Sequence, residues 1–84
     1  METKNDLPLM KGPAIYRIRI SGRLEVRWAE RLESMNITEE RMPNGGFESI
    51  LVGRLDDQSA LVGVINSLHE LHLPVLSTEC LERG

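Results

Sequence analysis

Ala14-Ile15-Tyr16-Arg17-Ile18-Arg19-Ile20-Ser21, followed at once by Gly22, is the stretch on which the fold turns. Tyr16, Ile18 and Ile20 alternate with Arg17, Arg19 and Ser21, the period of two expected of a strand with one buried face. The alternation assigns the apolar set to a core and turns Ile15, Arg17 and Arg19 outward. Beyond the break at Ser21-Gly22, Leu24, Trp28, Leu32 and Met35 recur at helical spacing, with Arg23, Glu25, Arg27, Glu30, Arg31 and Glu33 mostly on other faces. That spacing predicts a short amphipathic helix over Glu25–Ser34 with its tryptophan as a core anchor.

Further along, Ile37 and Thr38 sit among polar residues and run into Pro43-Asn44-Gly45-Gly46, which reads as an edge strand entering a hairpin turn. Phe47 to Leu55 supplies Ile50, Leu51 and Val52 in succession, an apolar run suited to the middle of a sheet. Asp56 or Asp57 is placed to cap the next helix, which is expected to run to about His72 with Leu61, Ile65 and Leu68 toward the core and Ala60, Val64 and Leu71 widening the stripe. Gly63 within it marks either close backbone packing or a tolerated loss of about 1 kcal/mol. Leu73-Pro74 ends that helix, and Val75 to Leu81 reads as a last strand.

The order is strand, helix, strand, strand, helix, strand. Two β-α-β units joined by right-handed crossovers place the first and third strands in the centre and the second and fourth at the edges. The expected fold is therefore α+β, a ferredoxin-like βαββαβ sandwich with a four-stranded antiparallel sheet and two helices on one face. Residues 1–12 carry Lys4, Asn5, Asp6, Pro8, Lys11 and Gly12 without a sustained period and are expected to form a flexible N-terminal arm. Residues 13–84 then make a single domain, and a core of this size often gains burial by self-association.

Composition narrows the chemistry. A formal charge of −3 argues against a nucleic-acid partner, whose affinity comes mainly from Lys and Arg neutralising phosphates. An RNA-reading sheet stacks bases on aromatic residues, and the two expected central strands offer only Tyr16, which has core parity, and Phe47. Cys80 is the sole cysteine, so neither an internal disulfide nor a thiol pair for copper can form, and a small buried hydrophobe is its expected role. His69 and His72 lie three apart on the second helix with no obvious third ligand, so no metal or other cofactor is expected. No stretch approaches the ~20 apolar residues that span a bilayer. With no signal-like apolar run either, a cytoplasmic location and no membrane partner are expected.

Two patterns touch function. Ile20-Ser21-Gly22-Arg23-Leu24-Glu25 resembles the opening of the acylphosphatase phosphate loop, and Asn44-Gly45-Gly46 falls near that family's hairpin. The resemblance stops where the chain continues with Val26-Arg27-Trp28 in place of a glycine and a catalytic arginine, leaving Arg27 as the one candidate anion binder. The second pattern is the sheet face away from the helices. It must carry Ile15, Arg17 and Arg19 and, on the third strand, either Ile50 and Val52 or Leu51 and Leu55. A soluble monomer rarely leaves a large apolar patch bare. Association of two copies through the sheet or an edge strand is expected, with Arg17 and Arg19 paired to carboxylates such as Glu48 or Glu79. Ile15, Arg17, Arg19, Ile50 and Val52 are the candidate interface residues.

Over its length after the arm the chain resembles a group of short uncharacterised bacterial proteins, through Tyr16 to Leu24, Arg27-Trp28-Ala29-Glu30, Asp57-Gln58-Ser59-Ala60-Leu61 and Leu73 to Ser77. The resemblance implies the same fold and a bacterial cytoplasm, and brings no activity with it. The reading of the sequence is a small interaction or regulatory module, non-catalytic, acting as a homodimer or bound to a larger protein. The alternative is a small-molecule sensor similar to ACT domains, which bind metabolites near the first strand-helix turn. At that turn Ser21, Gly22 and Arg23 are its candidate residues, and with Arg27 from the phosphate-loop resemblance they make up the candidate ligand-binding set.

Overall fold

The computed structural model describes residues 13–83. The arm expected over residues 1–12 lies outside the described residues. The alternating run forms β1, Ala14–Ser21, with Ala14, Tyr16, Ile18 and Ile20 buried and Ile15, Arg17 and Arg19 half-buried on the opposite face. β2 spans Asn36–Arg41, β3 Phe47–Leu55 and β4 Val75–Arg83. They make one open sheet in the order β2-β3-β1-β4, antiparallel at every junction. The first and third strands are central, and the polar β2 lies at an edge, as its composition predicts.

The parity of β3, open in the sequence, is decided by its small residues. Ser49, Leu51 and Leu55 are buried, while Ile50 and Val52 are half-buried on the same face as Arg17 and Arg19. Gly53 shares the covered face, and a Cβ there would lie 2.9 Å from Met35 Cγ and 3.1 Å from Met35 Cα. The absence of that side chain lets the chain entering β2 pass directly over the sheet.

The first crossover differs from its expectation. Val26–Leu32 is a seven-residue 3-10 helix rather than an α-helix over Glu25–Ser34. β1 and β2 are each antiparallel to β3, so they run parallel to one another, and this connection must travel back the length of a strand. Winding at about 2.0 Å per residue covers that distance with fewer residues than an α-helix rising about 1.5 Å. Glu25 makes no side-chain cap among the described residues, and Glu33 and Ser34, both at positive φ, end the segment. Its apolar stripe still faces inward: Leu24, Leu32 and Met35 are buried, and Trp28 packs half-buried against them.

The second crossover is the α-helix α1, Gln58–Glu70. Asp57 Oδ1 accepts the Ala60 N–H at 2.9 Å, satisfying one of the orphan amides of the first turn. Leu61, Val64 and Leu68 are buried, so Val64, not Ile65, occupies the centre of the stripe. Gly63 is exposed, and a Cβ placed there would meet no described atom within 4 Å, which marks it as tolerance, not close packing. The helix closes with His72 in the left-handed region and the Leu73 N–H donating to Leu68 O at 3.0 Å.

The result is an α+β fold with one α-helix and one 3-10 helix where two α-helices were expected. Cys80 is exposed, contrary to the buried position expected of it. It lies on an edge strand beside a bulge, where the parity it shares with Tyr16 does not suffice to bury it. No helix among the described residues is long and apolar enough to cross a membrane.

Candidate functional site

Two regions hold the residues singled out by the sequence, and they are built differently. The first is the turn after β1. Gly22 adopts φ 107°, a left-handed conformation suited to glycine, and a Cβ there would lie 3.2 Å from Leu73 Cδ2. The Gly22 N–H donates to Phe47 O at 2.8 Å, and the Ser21 N–H to Pro74 O at 2.9 Å. Ser49, wholly buried beneath the turn, donates its hydroxyl to Gly22 O at 2.8 Å and accepts the Leu24 N–H at 2.9 Å. This serine is the residue that sequence reasoning missed. Its only signal was a small polar side chain opening an apolar run.

The cations around the turn are held within the chain. Arg23 forks onto Glu39 through Nε at 3.0 Å and Nη2 at 3.3 Å, and its guanidinium lies 4.6 Å from the Phe47 ring centroid. Arg27 reaches Glu25 at 2.9 Å and stands 5.1 Å from the Trp28 ring centroid. Ser21, Gly22 and Arg23 are thus adjacent, while Arg27 finds its partners on its own segment. The Gly22 and Leu24 amides, which a phosphate loop would aim at an anion, have acceptors inside the protein. Among the described residues no three His, Cys, Asp or Glu side chains cluster to hold a metal ion, and His69 and His72 are both exposed.

The second region is the sheet face away from the helices. The register lines up Asn36, Val52, Arg17 and Glu79 in one row across the strands and Thr38, Ile50, Arg19 and Ser77 in the next. Ile15 sits between Arg54 and Glu82 beyond the first row. The face therefore brings all five candidate interface residues together. Arg17 bonds Glu79 through Nε at 2.8 Å, and Arg19 bonds Glu48, so the two expected ion pairs form within one chain. The Glu48 carboxylate, first by hydrogen bond and then by charge, holds the Arg19 guanidinium above its ordinary pKa. Three branched apolar side chains, Ile15, Ile50 and Val52, are thereby framed by charges that already balance one another.

β4 borders this face, and its register against β1 slips twice, between Ile15 and Tyr16 and between Arg19 and Ile20. Each slip adds one residue to β4, Leu81 and Leu76 respectively, and both leucines are largely exposed. The apolar doublets Val75-Leu76 and Cys80-Leu81, which break a period of two, were the legible sign of these bulges.

A family model described as a domain of unknown function (DUF8691) matches residues 15–79, from β1 into the middle of β4. The chain belongs to this family. The match spans both regions described above, so the turn and most of the open face lie within the DUF8691 domain. No curated protein and no solved structure matched the chain.

Proposed function

We propose that this DUF8691 domain is a ferredoxin-like, non-catalytic interaction or regulatory module that works through its sheet, as a homodimer or bound to a larger protein. The observation that carries the reading is the open face. Ile15, Val52 and Ile50 share this face of the two central strands, interleaved with Arg17 and Arg19 and with no described segment over them, while those arginines are already paired to Glu79 and Glu48. An apolar patch rimmed by internally balanced charge suits a protein surface better than a free anion, since binding there removes apolar area from water without stranding a charge. The strand order and the antiparallel pairing support the ferredoxin-like description, the first crossover being a shortened version of that fold's helix.

Native mass spectrometry of the full chain purified from its own host tests the reading. The expected spectrum shows two chains, or one chain with a larger protein. A single unaccompanied chain at micromolar concentration overturns it. An added small mass retained on a dimer transfers the function to metabolite sensing.

A further inference from the structure

The two edges of the sheet are not equivalent. β2 has six residues and exposes Glu39, Glu40 and Arg41, the kind of charged, short strand that resists pairing. β4 has nine residues, pairs only with β1 among the described residues, and exposes Val75, Leu76, Cys80 and Leu81. These four form two doublets separated by Ser77-Thr78-Glu79.

We infer that β4 is the edge through which two copies of the chain join, in an antiparallel pairing whose two-fold axis passes Thr78. This rests on the reading above that the chain associates, and it places the contact between two copies at the sheet edge, leaving Ile15, Ile50 and Val52 of the open face uncovered. With Thr78 opposite itself, Glu79 falls opposite Ser77 of the second copy, and beyond them the bulged apolar doublet Cys80-Leu81 faces the bulged doublet Val75-Leu76. Apolar meets apolar on both sides of the axis, and no two carboxylates face each other. Moving the axis to Ser77 sets Val75 against Glu79. Moving it to Glu79 sets that carboxylate against its own copy and Leu76 against Glu82, and like charges directly opposite destabilise a strand pair.

Two further observations agree with this register. Ser77 lies opposite Arg19 and Glu79 opposite Arg17, so both belong to the open face, and pairing one with the other keeps the open faces of the two copies on the same side. The product is a continuous eight-stranded sheet with both helical layers on its other face. The Ser77 hydroxyl is buried without a hydrogen-bond partner among the described residues. In the dimer a rotation of the Ser77 side chain brings this hydroxyl beside the Glu79 carboxylate of the second copy, which Arg17 of that copy already orients.

Residues directly opposite in an antiparallel pair have Cα atoms about 4.5–5.5 Å apart, inside the range a disulfide spans. The test is therefore Thr78→Cys in a Cys80→Ser background of the full chain, oxidised with oxidised glutathione and compared with Arg41→Cys in the same background, which reports on the β2 edge. The expected result is conversion of most Thr78→Cys chains to a covalent dimer, at least tenfold faster than Arg41→Cys. Leu76→Lys, at an exposed position, is expected to weaken the dimer at least tenfold with an unchanged circular dichroism spectrum. A dimeric wild-type mass with no preference for position 78 overturns this register and leaves the association reading standing. A single-chain mass for the purified wild type overturns dimerisation at β4. The association reading then rests on a larger protein retained from the host.

Discussion

The two faces of the central strands carry unequal apolar content and use it in opposite ways. On the covered face Tyr16, Ile18, Ile20, Leu51 and Leu55 are sealed under α1 and the 3-10 helix. On the open face Ile15, Ile50 and Val52 keep part of their surface in water and are interleaved with arginines held by Glu48 and Glu79. The difference teaches where stability lies: one face holds the chain together, while the other leaves apolar surface on which the proposed association would draw.

Substitutions test that difference. Leu51→Ala on the covered face should cost about 2–5 kcal/mol, because it removes buried methyl groups and leaves a cavity. Val52→Ala, one residue on and facing away, should cost about 1 kcal/mol or less in the isolated chain. Urea unfolding of both variants at low concentration checks this, and equal losses would mean that the faces are energetically alike. Gly53→Ala should come next, at about 1–3 kcal/mol, since its Cβ has to displace Met35, backbone included. Gly63→Ala, in an exposed helical position, should do the reverse and stabilise by about 1 kcal/mol. Thermal melts of the two glycine variants should therefore shift in opposite directions. Smallest of all is the Arg17–Glu79 pair, exposed on both sides, for which a double-mutant cycle should give about 0.2–1 kcal/mol, declining with added salt.

Much of the covered face was legible in the sequence. β1 was readable residue by residue because its alternation is strict, and the Pro43-Asn44-Gly45-Gly46 turn because its residues suit few other structures. The parity of β3 was not, because Ile50, Leu51 and Val52 are interchangeable to any hydrophobic pattern. It is set by which neighbours are small enough to lie under the crossovers, Ser49 beneath the turn and Gly53 beneath Met35. The 3-10 winding of Val26–Leu32 was hidden for a related reason, since its apolar spacing fits an α-helix and only the distance to be covered selects the longer rise. The five candidate interface residues were legible as a group and do share one face. The candidate ligand turn was legible as a turn, but that Glu39 holds Arg23 depends on strand pairing that no local pattern encodes.

The most direct test of association through the sheet is the thermal unfolding midpoint of the full chain measured over a hundredfold range of chain concentration. Binding that favours the folded state ties stability to concentration, so the midpoint should rise as the chain becomes more concentrated, and Leu76→Lys should flatten the rise. A midpoint independent of concentration, in wild type and variant alike, would contradict self-association.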